Sequence, residues 1–183
     1  ANTLMRLHEA YIEFAPEGTA PQIDPETPNL IRFRTFSKAH GLAGLRVGYA
    51  ITNASLARSF DKVRNHFGLG RLAQAGALAA LQDQAHLARV RGLVEAARLR
   101  VSGIARDNGL RPLASATNFV SIDLGRDGDF ARATLRALTE RGIFVRMPGV
   151  APLDRCLRVS LGDETALAAF EAALPLALRE AAG

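Results

Sequence analysis

At 183 residues and 48% hydrophobic, the chain is long enough for one ordinary domain or two small lobes sharing a core, which excludes a disordered tail. The formal charge of +5 and pI near 10.3 come from basic residues scattered among acids and apolar residues, with no basic run and few aromatics. That pattern argues against nucleic acid and suits anionic small molecules. A lone Cys156 excludes an internal disulfide and fits a reducing compartment. No apolar run reaches the roughly 18 residues a membrane-spanning helix needs, and ANTLMRLHEAY has no basic region followed by an apolar core. A cytoplasmic protein with no metal, membrane or nucleic-acid partner is therefore expected.

In chain order, Leu4 to Leu7 reads as a short buried strand that delivers His8, Glu9 and Tyr11 at its end. Residues 18 to 29, GTAPQIDPETPN, read as a surface loop. LIRFRTF, residues 30 to 36, alternates apolar and basic residues as a second strand that runs into Ser37 and Lys38, and VGYAIT at 47 to 52 is a third. Asn53 is placed to cap a helix from Ala54, and another helix covers Leu72 to Leu81. The longest helix places Leu87, Val90, Val94, Ala97, Val101 and Ile104 on one stripe and stops at Asn108-Gly109. TNFVSIDL then reads as a strand, Asp129 to Arg141 as an amphipathic helix ended by Gly142, IFVRM and CLRVSL as two short strands, and Asp163 to about Ala181 as a closing helix containing Pro175.

Arginine supplies nearly all the positive charge; Lys38 and Lys62 are the only lysines. Lys38 stands in RTFSKAHGLAGLRVGY, residues 34 to 49, with Arg46 eight positions on. An amine that must react with an aldehyde needs a fixed position and a route to its neutral form, which nearby positive charge assists. A serine hydroxyl and an arginine fork suit a phosphate, and Gly41, Gly44 and Gly48 let the backbone turn sharply beside a bound group. These are the parts of a pyridoxal-phosphate site. A Ser-Lys pair alone is an ordinary turn, but the whole string S-K-x-x-G-x-x-G-x-R-x-G-Y is rarer, and it is not a P-loop, where the lysine follows the glycines and precedes Ser or Thr.

RTFSKAHGLAGLRVGYAI resembles the Schiff-base lysine segment of fold-type I pyridoxal-phosphate aminotransferases, and most of all their histidinol-phosphate aminotransferase branch. HEAYIEF, residues 8 to 14, resembles that branch's D-E-A-Y strand end, and LRVSLG, residues 157 to 162, its C-terminal arginine segment. The resemblance implies an α/β fold class: the C-terminal part of a fold-type I large domain followed by a small α+β lobe. Residues 1–83 would be the partial cofactor-binding domain, 84–109 a linking helix and 110–183 the small domain. It implies pyridoxal 5'-phosphate as cofactor, Lys38 as Schiff-base lysine and proton shuttle, Tyr11 on the cofactor's phenolic oxygen, and Ser37 with Arg46 on its phosphate. Arg158, supported by Arg146, would bind a substrate carboxylate or phosphate, while Asn118 reads as a turn or cap residue.

Two departures accompany the resemblance. The family carries an aspartate where this chain has His8, and an imidazole supports a protonated pyridine ring less than a carboxylate does. Family members are also about twice this length, so the chain is expected to be a C-terminal half. The implied function is transfer of an amino group from an amino acid or amino-alcohol phosphate to a keto acid. The partners expected are those small molecules and either a second copy or an N-terminal half. The alternatives are an inactive or partner-binding remnant of the fold and a pyridoxal-phosphate decarboxylase.

Overall fold

The computed structural model describes residues 3–183, with strands β1 Met5–His8, β2 Leu30–Thr35, β3 Gly48–Ile51, β4 Arg111–Pro112, β5 Phe119–Asp123 and β6 Cys156–Ser160. The helices are α1 Ala54–Phe60, α2 Arg71–Gln82, α3 Gln84–Asp107, α4 Gly128–Glu140 and α5 Glu164–Ala182. The chain divides into two compact units, Ala1–Arg91 and Gly92–Gly183, with the division falling inside α3. Among the described residues no helix is long and apolar enough to cross a membrane.

In the first unit, β2 pairs parallel with β1 and antiparallel with β3. The alternation of β2 does not divide core from solvent. Arg32 and Arg34 lie on one face of the pleat, and both are drawn to Glu9, which follows β1. Glu9 Oε1 accepts from Arg32 Nη2 at 2.7 Å and Oε2 from Arg34 Nε at 3.0 Å. Side-chain exposures of 9% for Glu9 and 13% for Arg32 place this pair largely out of water. Burial alone would raise the Glu9 carboxyl, but the hydrogen bonds and charges of Arg32 and Arg34 outweigh it and hold it below its usual range. A small core sits below the lysine loop, where Phe36 and Val47 pack with Ala73 and Ala77 of α2, and Leu42, Leu45 and Ala80 close its edge. The alanine-rich face of α2 is the space those larger loop residues occupy; at Gly76 an added Cβ would lie 2.8 Å from Leu45 Cδ1.

In the second unit, β4, β5 and β6 form an antiparallel sheet. The core joins Val120, Ile122, Leu157 and Val159 of the sheet to Leu138 of α4, Leu174 of α5, and Val101 and Ile104 of α3. The last two belong to the stripe read from periodicity. Side chains at the helix starts behave as their positions require: Asn53 accepts from Leu56 N, Asp127 from Phe130 N and Asp163 from Ala166 N. Gly109 and Gly142 stop α3 and α4 in left-handed turns, at φ 72 and 76. Arg100 bridges Glu164 and Glu171, tying α3 to α5.

Two strand expectations are corrected. β1 forms but is not buried, since Leu4 and Met5 are exposed and only Leu7 is half-buried. IFVRM, residues 143–147, forms no strand but a single bridge, in which Arg146 N donates to Arg158 O and Arg158 N to Arg146 O. Pro148, two residues on, has no N–H for the next rung, and the chain leaves the turn at Gly142 only shortly before. The two-residue strand β4 was not anticipated.

Asp123 is the buried acid of this unit, 4% exposed, with Oδ2 accepting from Arg111 at 2.6 Å and Arg155 at 2.8 Å. Arg111's hydrogen bond, aided by Gly125 N–H and Arg155, overrides burial and lowers the Asp123 carboxyl. A carboxyl lowered in the folded chain gives stability that is complete above its unfolded value, near 4, and is lost as pH falls through the folded value. Asp123→Asn is expected to lower stability by about 2–3 kcal/mol at neutral pH, with the gap to wild type closing below about pH 4. Urea unfolding of both chains across pH 2–7 checks this.

Candidate functional site

β2 ends at Thr35, and the next residues turn out of the sheet as a loop that its own backbone closes. Phe36 N donates to Val47 O at 3.2 Å, Leu42 N to Phe36 O at 2.9 Å, and Gly41 N to Lys38 O at 2.9 Å. Thr35 Oγ1 accepts from Ser37 N at 3.1 Å. The Phe36–Val47 pairing makes Ser37 and Arg46 the next residues on either side of the loop's mouth, and Arg46 Nη1 donates to the Ala43 carbonyl at 2.7 Å. Ala39, 1% exposed, anchors the loop from within, and the Phe36 ring contacts the rings of His40 and Tyr49 at centroid distances of 5.0 and 5.8 Å.

Lys38 is half-buried, and its Nζ lies 5.3 Å from the centroid of the Tyr11 ring. Tyr11 follows β1 and Lys38 follows β2; because the two strands run parallel, both residues emerge at the same end of the sheet. Sequence-distant residues therefore meet through topology. His8, the last residue of β1, is exposed and lines an open cavity of about 700 Å³ with Arg6, Phe33, Arg34, Gly48, Tyr49 and Ala50.

Arg146 and Arg158 belong to the second unit. Each is the other's bridge partner, so their side chains share one face of the antiparallel pair. Arg158 lies over the Phe119 ring at 4.9 Å, and its Nε is buried with no hydrogen-bond partner. Arg146 is exposed. Asn118 takes part through its backbone, accepting from Leu161 N.

Sequence reasoning missed two supports of these residues. The first is Glu9, whose hold on Arg32 and Arg34 fixes β1 against β2; its signal was an acid at the end of one strand beside two like-facing arginines on the next. The second is Phe119 beneath Arg158, which no local pattern marks because β5 and β6 are brought together only by the fold.

Chemically, one loop carries an amine, a hydroxyl and a guanidinium, and the amine lies against a phenol. That donor set fits an aldehyde carrying a phosphate.

Residues 2–174 match the family described as aminotransferase class I and II. The chain belongs to this family. It is 40% identical over 177 residues to histidinol-phosphate aminotransferase 1 of Bordetella parapertussis, covering 94% of the chain and 49% of that protein. It is 38% identical over 167 residues to histidinol-phosphate aminotransferase of Bacillus subtilis, covering 90% and 46%. The crystal structure of histidinol-phosphate aminotransferase from Sinorhizobium meliloti in complex with pyridoxal-5'-phosphate superimposes with a TM-score of 0.92 at 49% identity, covering 97% of this chain and 49% of that one. The chain thus spans about half the length of the relatives it matches, and its α/β fold is that of the fold-type I aminotransferases over the shared part.

Gly48 is the tightest point of the site's frame, since an added Cβ would sit 2.7 Å from the Arg34 carbonyl oxygen. Gly48→Ala is expected to cost about 1–3 kcal/mol and to speed amide exchange in β3 before any effect on α4 or α5. Hydrogen-exchange mass spectrometry of the two chains reads this directly.

Proposed function

We propose that the chain forms part of a pyridoxal-phosphate-dependent aminotransferase of the histidinol-phosphate type, moving an amino group from a small amino donor to a keto acid. The observation that carries this reading is the placement of Lys38 Nζ over Tyr11, in a backbone-closed loop that also carries Ser37 and Arg46. The family match and the names of the relatives support it. Residues 1–83 are then the cofactor-binding part, 84–109 the linking helix and 110–183 the small domain.

When bound, pyridoxal phosphate supplies an aldehyde and an electron-withdrawing ring. Ser37 and Arg46 would hold its phosphate, and Tyr11 would donate its hydroxyl to the phenolic oxygen. Lys38 Nζ would be the amine that holds the cofactor's aldehyde and, in its neutral form, the base placed to take up a proton from the substrate. His8 is the residue this chain offers to the ring nitrogen. As an imidazole it supports a protonated ring less than the carboxylate that the family carries there. Arg158 and Arg146 orient the substrate's carboxylate or phosphate; the shared face and the unpartnered Arg158 Nε support this role. A second copy of the chain is the macromolecular partner in this reading, supported by the exposed apolar side chains of Val63, Phe67 and Leu72. A reducing cytoplasmic setting suits the buried thiol of Cys156.

The test is visible absorption on titrating pyridoxal phosphate into wild type, Lys38→Ala and Lys62→Ala. Wild type and Lys62→Ala are expected to develop the band of an amine-bound cofactor and Lys38→Ala to lack it. A band that survives in Lys38→Ala, or is absent from wild type, overturns the reading.

A further inference from the structure

The segment after Tyr11 makes a 3-10 turn over Ile12–Phe14, in which Phe14 N donates to Tyr11 O at 2.9 Å and Ala15 N to Ile12 O at 3.1 Å. The turn buries Phe14 and Ala15 and leaves Glu13 half-buried. Glu13 Oε2 is shut away from water and has no hydrogen-bond partner. A carboxylate oxygen in that position carries a desolvation cost that no donor offsets. Glu9 is the contrast, since both of its oxygens are met by Arg32 and Arg34. Arg34 feels the charge of Glu13 as well, but its Nε is engaged by Glu9.

Glu13 lines a cavity of about 200 Å³ within the first unit. The turn and the residues after it supply Ile12, Ala15 and a second acid, Glu17, while α3 supplies Leu87 and Arg91. Leu87 and Arg91 are four residues apart and share a face of that helix. The lining thus joins carboxylates from one element and a guanidinium from another to an apolar floor. A bare amine would leave Arg91 unmatched, and a bare carboxylate would meet the like charges of Glu13 and Glu17. A molecule that carries an ammonium and a carboxylate answers both. The volume lies below the roughly 300 Å³ at which drug-sized sites begin, so it admits a few heavy atoms and a short side chain.

We propose that this cavity binds a small α-amino acid with an apolar side chain, its ammonium on Glu13 and its carboxylate on Arg91. The terminal torsion of a glutamate side chain is broad and two-fold, so a small rotation brings the unmet oxygen to the ammonium. None of the lining residues is assigned to cofactor or substrate, and the binding does not rest on the reaction proposed above. Because the 3-10 turn hangs on the Tyr11 carbonyl, an occupant also steadies the backbone from which Tyr11 reaches Lys38.

The experiment titrates L-alanine calorimetrically into the cofactor-free chain, as wild type, Arg158→Ala, Glu13→Gln and Arg91→Gln, and follows the Phe14 and Ala15 amides by hydrogen exchange. Wild type and Arg158→Ala are expected to bind with similar Kd and to slow exchange at both amides. Glu13→Gln and Arg91→Gln should bind roughly 10- to 100-fold more weakly, the loss expected for one charged hydrogen bond. Ethylamine and propionate, each with one of the two charges, should bind wild type at least about tenfold more weakly than L-alanine. Without ligand, Glu13→Gln should unfold at no lower urea concentration than wild type, because an unmet buried charge has been removed. A lower midpoint there shows that Glu13 already has its partner in the fold and overturns the proposal. So does the absence of L-alanine binding. Binding lost in Arg158→Ala but kept in Glu13→Gln and Arg91→Gln overturns it too, by placing the amino acid at the substrate arginine, and leaves the proposed reaction standing.

Discussion

The hydrogen bond from Phe36 N to Val47 O is the constraint on which the site depends. It closes a loop of ten residues at the mouth of the β2–β3 hairpin, and the loop contains Ser37, Lys38 and Arg46, the residues proposed to meet the cofactor. Because the two paired residues are also the buried apolar ones of the small core, the closure is held from below as well as in the plane of the sheet. The small residues of α2 exist to admit that core. Packing thus fixes the ends of the loop, and the loop's turns then fix Ser37, Lys38 and Arg46 without help from a ligand.

Electrostatics secures the other half of the arrangement. Tyr11 reaches Lys38 because β1 and β2 run parallel and end together, and the Glu9 carboxylate spans that pair through two arginines of β2. A charged pair this far out of water needs complete hydrogen bonding to be tolerated, and Arg32 meets it with two contacts to Glu9 and one to the Pro21 carbonyl. The second unit repeats the principle at Asp123, where two arginines and a backbone N–H surround one buried acid. At these two places arginine serves as internal cement, four arginines closing on two acids.

What was legible in the sequence was what depends on neighbours along the chain. Caps at Asn53 and Asp163, stops at Gly109 and Gly142, and the stripe ending at Val101 and Ile104 are local chemistry, and the structure realises them. The lysine segment was legible as a string, and the family match agrees with it. The illegible features all depend on a partner distant in sequence. Residues 143–147 alternate well enough for a strand, yet their pairing ends at one bridge because of Pro148. Arg32 and Arg34 look solvent-facing until Glu9 is placed beside them, and Arg46 takes a left-handed backbone, at φ 52, just before Val47 turns into the small core.

The central claim is that the lysine loop is preformed by its own backbone. Amide hydrogen exchange of the cofactor-free chain, resolved at Phe36, Gly41 and Leu42, tests it most directly, because each of those N–H groups donates within the closed loop. All three are expected to be protected well beyond the amides of the 18–29 surface loop, with pyridoxal phosphate adding little to Phe36. Exchange at Phe36 and Leu42 as fast as in that surface loop, with protection arriving only when the cofactor is added, would contradict it.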